Sequence, residues 1–116
     1  MGYIDLNIIT KEHLLGTWQV ETRFDNKQTA SIFSRNYFLI FEPGAYVSRN
    51  GEEIKGKWEL VREQEVIYNP QVSFYRDAEQ IGNAIITRLL NVVEEDKAVQ
   101  RLTLYFTNGL ELILKK

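Results

Sequence analysis

The sequence predicts an all-β fold: an eight-stranded antiparallel up-and-down barrel, preceded by a short N-terminal helical turn, in one domain spanning residues 1–116. Three observations predict it. Apolar and polar residues alternate with period two through most of the chain, the spacing of strands that bury one face. The runs are separated by short turn signals, Glu42-Pro43-Gly44-Ala45, Asn50-Gly51 and Asn108-Gly109. The number of runs is even, so in up-and-down order the last strand lies antiparallel to the first, and their pairing removes both exposed edges.

Taken in order, residues 10–15, "TKEHLL", read as one helical turn with Thr10 as N-cap and Gly16 as stop. In the first strand, 16–24, Trp18, Val20, Thr22 and Phe24 share one side, and Thr17, Gln19, Glu21 and Arg23 the other. The 25–36 connection carries Ile32 and Phe33 among polar residues and reads either as a lid or as an early start to the second strand. The second strand, 37–42, opens "YFLIF", apolar on both faces, and turns through Pro43-Gly44 into the third, 45–49. In the fourth, 54–62, Ile54, Gly56, Trp58 and Leu60 alternate with Lys55, Lys57, Glu59 and Val61. The fifth, 65–76, contains Pro70, whose missing N–H implies a bulge or an unpaired edge position. The sixth, 84–93, also fits a helix face through Ile81, Ile85, Leu89 and Val92; its β-branched residues and the hairpin downstream favour a strand. Leu102, Leu104 and Phe106 in the seventh strand (98–107) and Leu110, Leu112 and Leu114 in the eighth (110–115) flank Asn108-Gly109 as a hairpin.

Both tryptophans stand two residues behind a glycine, in Gly16-Thr17-Trp18 and Gly56-Lys57-Trp58. Residues two apart share a face, so each glycine leaves room for a bulky indole at the narrow end of a small barrel, and both indoles are expected to be buried, with Trp18 beside the 10–15 turn. A short helical turn followed by Gly-x-Trp resembles the opening of the lipocalins and the broader calycin group. The phenylalanine-rich strand, the "FEPGAY" turn and the second Gly-x-Trp in "GKWEL" are similar to the compact bacterial lipocalin-like domains. The resemblance covers roughly 10–115; against typical secreted lipocalins the chain is shorter and has no cysteine. It implies non-catalytic binding of a small, mostly apolar molecule in the barrel interior. The alternative is a filled barrel acting as a protein-interaction or structural module.

With the first strand running from plugged end to open end, Phe24, the 25–36 connection, Asn50-Gly51, the 77–83 loop and Asn108-Gly109 gather at the mouth. A ligand passing between the 25–36 and 77–83 loops is expected to touch Phe24, Phe38 and Arg88. Phe24 shares the Trp18 face, Phe38 begins the adjacent strand, and Arg88 is the cation within the apolar run "IITRLLN", suited to grip a carboxylate with two hydrogen bonds. Arg88 equally fits an outward position, or a stack on a tryptophan near the closed end as in lipocalins. Tyr37, Tyr46, Tyr68, Tyr75 and Tyr105 supply hydroxyls for a cavity wall. An interaction module would instead expose Phe41, Val47, Val61 and Ile113, which lie out of phase with the Trp-bearing faces.

Other function classes have little support. A net charge of −2 provides no basic field for nucleic acid. Without cysteine, and with His13 as the lone histidine, neither a thiolate nor a histidine metal site is expected, and no cofactor is implied. His13 reads as a surface or capping residue. The acidic runs Glu52-Glu53, Glu63-Gln64-Glu65 and Glu94-Glu95-Asp96 fall in turns, where paired carboxylates are solvated. No catalytic constellation and no phosphate loop is recognised. The N-terminus lacks the basic and apolar regions of an export signal, and no run reaches a transmembrane length. The compartment stays open, including a periplasmic or cell-surface domain whose leader has been removed.

Overall fold

Nine strands, all paired antiparallel, form one sheet in a computed structural model that describes residues 2–24, 32–50, 52–61 and 69–116. They are β1 (Gly2–Tyr3), β2 (Gly16–Phe24), β3 (Phe38–Glu42), β4 (Ala45–Arg49), β5 (Glu53–Val61), β6 (Gln71–Arg76), β7 (Glu79–Glu94), β8 (Lys97–Phe106) and β9 (Glu111–Lys115). The order β1-β7-β6-β5-β4-β3-β2-β9-β8, with β7 also paired to β8, closes β2–β9 into an eight-stranded up-and-down barrel. A 3-10 turn at Leu6–Ile8 and the one-turn helix α1 (Lys11–Leu14) precede the barrel.

The short hairpins follow from local backbone chemistry. Asp77 and Ala78 between β6 and β7, and Glu95 and Asp96 between β7 and β8, all have positive φ, as a two-residue turn matched to the right-handed strand twist requires. The expected 77–83 loop is therefore this tight turn followed by strand. Pro70 stands just ahead of β6, where its carbonyl accepts a hydrogen bond from Ile86 N, so its missing N–H interrupts no ladder. Gly51, residues 25–31 of the long connection, and 62–68, including Tyr68 and the expected start of the fifth strand, lie outside the described residues.

Region 84–93 is a strand, part of the 16-residue β7. Two bulges interrupt its alternation. Ile81 is an extra residue against β6 and Thr87 an extra residue against β8, so inward side chains fall at Ala84, Ile86 and Leu89, spaced by two and then three. β7 pairs with β6 through its first half, and its second half receives β1 at Gly2↔Asn91 and Tyr3↔Leu90.

Large apolar side chains pack in the interior. Trp18, Leu39, Phe41, Tyr46, Trp58, Phe74, Leu104, Phe106 and Leu112 all point inward and are buried. The interaction-module alternative calls for Phe41, Val47, Val61 and Ile113 to be exposed, yet Phe41 and Val47 are buried, at 2% and 8% exposure, and Val61 and Ile113 are half-buried. "YFLIF" is apolar at every position, so alternation alone sets no phase there. The register Trp18↔Leu39↔Ser48 turns Leu39 and Phe41 inward and leaves Phe38 outside.

Candidate functional site

The closed end is built from the helical turn and the two indoles. Thr10 N donates to His13 Nδ1 at 2.9 Å, which gives the histidine a capping role on α1. Trp18 Nε1 donates to the Leu14 carbonyl at 2.8 Å, fixing α1 over the barrel floor, and Trp58 Nε1 donates to the Glu42 carbonyl at 2.7 Å. Lys116 Nζ lies 4.9 Å from the Trp18 ring centroid and donates to the Leu15 carbonyl at 2.5 Å. Burial lowers the pKa of this ammonium. The cation on the closed-end tryptophan is therefore Lys116. Arg88 is exposed and stands over the Tyr3 ring at 5.7 Å, outside the barrel.

At the opposite end, a 3-10 turn at Ile32–Arg35 sends Phe33 into the mouth. Its ring is fully buried, 4.7 Å from the Phe74 centroid, 5.1 Å from that of Phe106 and 5.9 Å from that of Tyr46. The chain deeper in continues through Phe74, Phe41 and Trp58, with Phe41 and Trp58 packed edge-on at 4.8 Å. Residues 32–35 are therefore a 3-10 turn and not an early start to the second strand, which begins at Phe38.

Phe24 is 56% exposed and does not share the Trp18 face. Val20 pairs with Leu114 but Thr22 with Ile113, so Glu21 is a bulge and the phase of β2 inverts beyond it. Arg23, opposite the buried Leu112, turns inward, and its guanidinium bonds the Asn36 carbonyl; Phe24, opposite Glu111, turns outward. Phe38 is 38% exposed, on the outer face opposite Gln19. The three residues thus all lie on the outside, on β2, β3 and β7.

Sequence reasoning missed a groove of about 1010 Å³ on the outer face of β4–β6. Gly44 and Ala45 border it on one side, Asp77 and Ala78 on another, and Lys55, Lys57, Glu59 and Tyr75 rise from its walls. The β5–β6 ladder ends at Lys57↔Tyr75, so residues 53–56 of β5 pair only with β4 and leave a seam in the wall. Gly56 sits at that seam. A Cβ there would stand 2.0 Å from the Tyr75 carbonyl oxygen and 2.9 Å from Tyr46 Oη. The Tyr46 hydroxyl is buried with no hydrogen-bond partner among the described residues, and burial pushes its pKa up. The Gly-Lys-Trp triplet marked this strand in the sequence; the unpaired half of β5 had no sequence signal.

Among the described residues no cluster of three or more His, Asp or Glu side chains is placed to hold a metal, and no helix is long and apolar enough to cross a membrane. Carboxylates meet cations at the surface: Glu53 pairs with Arg49 at 2.9 Å, and Arg101 bonds Glu21 at 2.7 Å and Glu94 at 2.8 Å and lowers the pKa of both. Compared with protein-family models, curated proteins and solved structures, the chain has no match.

Proposed function

We propose that this chain is a compact lipocalin-like barrel that works by non-covalent recognition, with its interior serving as structural core and its outer face carrying the binding. The observation that carries the reading is the continuous ring packing from Trp58 through Phe41 and Phe74 to Phe33, which occupies the space where a lipocalin-type ligand would lie. Eight strands enclose a volume that side chains can fill, and here they are large enough to do so. The lipocalin-like assignment is supported by the helical turn seated on Trp18 and the cation over its ring.

A second reading keeps a small, mostly apolar ligand in the interior. It is favoured by Phe33, which enters the mouth from a 3-10 turn rather than from a strand and can leave without breaking a ladder. Phe24, at the end of β2, would then be a rim contact. Titration of a fluorescent fatty-acid analogue separates the two. The core reading expects no saturable binding by the wild type and uptake only after Phe33→Ala opens the mouth. Saturable binding by the wild type, with quenching of Trp58 emission, would establish the interior site instead.

A further inference from the structure

We propose that the Asn108-Gly109 turn between β8 and β9 is a site of spontaneous modification that its own hydrogen bonds keep silent. Asn108 deamidates only when the hairpin opens, and the isoaspartate formed then keeps β9 from returning to its register.

The turn itself calls for the reactive pair. Gly109 has φ near +99°, a conformation that glycine adopts without strain. Without a Cβ, its main-chain nitrogen is also an unhindered nucleophile toward the amide carbon of Asn108. In that reaction the Gly109 N–H proton passes through solvent to the leaving amide, ammonia departs, and a five-membered succinimide forms. Water then opens the ring at either carbonyl, giving aspartate, or isoaspartate with a main chain one atom longer.

Both reacting groups are engaged in the closed hairpin. Gly109 N donates to the Phe106 carbonyl at 2.9 Å, and Asn108 Oδ1 accepts from Leu110 N at 3.2 Å. Phe106 N donates to the Leu110 carbonyl at 2.7 Å, closing the turn from the strand side. Phe106 and Leu110 are anchored in the core, and the Phe106 ring packs on Phe33 and Phe74. Attack requires Gly109 to lose its proton and the amide carbon to turn onto that nitrogen, so both hydrogen bonds must break first. After ring opening, aspartate keeps a carboxylate oxygen for Leu110 N. The extra main-chain atom of isoaspartate instead shifts Leu110 away from Phe106. β9 pairs with both β2 and β8, so a slip at its start turns Leu112 and Leu114 out of the core.

The test incubates the full chain in mildly alkaline buffer, folded and in concentrated urea, and follows each asparagine by peptide mass spectrometry. Asn50, in the same Asn-Gly sequence, is the reference for the chemistry in urea. Deamidation of Asn108 should be slower in the folded chain by about tenfold or more, and the ratio should match the open fraction from hydrogen exchange at Gly109 and Leu110 to within about threefold. Equal rates in the two states, or a folded rate well above that open fraction, would overturn the gating. The aspartate form, made as Asn108→Asp, should melt close to the wild type, whereas the isoaspartate-containing fraction isolated by anion exchange should melt lower. Equal melting of the two would overturn the block on β9, and the rate comparison needs no variant at all.

Discussion

Two glycines that look alike in sequence are needed for different reasons. Gly16 has φ near +122°, where a side chain is strained, and a Cβ there would press on the Lys116 stem at 3.2–3.4 Å. Gly56 is needed for space, because the Tyr46 ring and the Tyr75 carbonyl occupy its Cβ position. Gly56→Ala is therefore expected to cost about 3 kcal/mol and more than Gly16→Ala; urea unfolding of the two variants orders them, and a loss under about 1 kcal/mol at Gly56 would mean that the wall yields. Tyr46→Phe behaves oppositely. It removes a buried hydroxyl without a partner, so stability should hold or rise by about 1 kcal/mol. Its pH dependence follows from the raised phenol pKa. Relative to the unfolded chain, the fold favours the protonated form, so stability present below the ordinary value of 10.0 is lost as pH rises above it, and the phenylalanine variant should lose less in that range.

At the scale of elements, bulges and turns decide what the strands present. The Glu21 bulge exchanges Phe24 for Arg23 on the inner face of β2, and the Thr87 bulge sets the inward spacing of Ile86 and Leu89 on β7. The turns also hold avoidable strain. Ala78 adopts φ near +70° and Asp77 near +52°, in a turn type that favours Asn-Gly. Replacing Asp77-Ala78 by Asn-Gly should stabilise the protein by about 1 kcal/mol, read as a higher midpoint in thermal unfolding, and a lower midpoint would contradict the turn assignment.

For the whole molecule, ion pairs span the outside of the barrel wall while aromatic rings pack inside it. Arg101 on β8 ties Glu21 on β2 to Glu94 on β7 across the outer surface. Both acids have pKa values depressed first by their hydrogen bonds to Arg101. The sign follows: the network contributes above the ordinary carboxylate range and is lost as pH falls through the depressed folded values. Arg101→Gln should accordingly lower the melting temperature modestly at pH 7 and have almost no effect near pH 2, the effect being small because these side chains are well solvated. Inside the barrel, Phe33→Ala removes the ring that seals the mouth and should cost about 3–5 kcal/mol, with blue-shifted tryptophan emission retained because Trp18 and Trp58 lie at the other end. Red-shifted emission in that variant would show that the plug supports the whole core.

The sequence by itself determined the eight strands of the barrel, most of their limits, most of the hairpin sites, the burial of both indoles and the seat of the helical turn on Trp18. These depend on local alternation, turn chemistry and residue size, which act over a few neighbours. Which face each residue takes was not local. One inserted residue at Glu21 inverts the phase of β2, and "YFLIF" has no polar position to mark a face, so Phe24, Phe38 and Phe41 acquired their sides only from pairing register. Arg88 and Lys116 illustrate the same limit: either cation suits an aromatic ring, but the ring each one meets depends on where the strand ends and the N-terminal segment pack. The aromatic cluster likewise arises from the meeting of rings on five strands and a 3-10 turn, distances that no alternation along one strand contains.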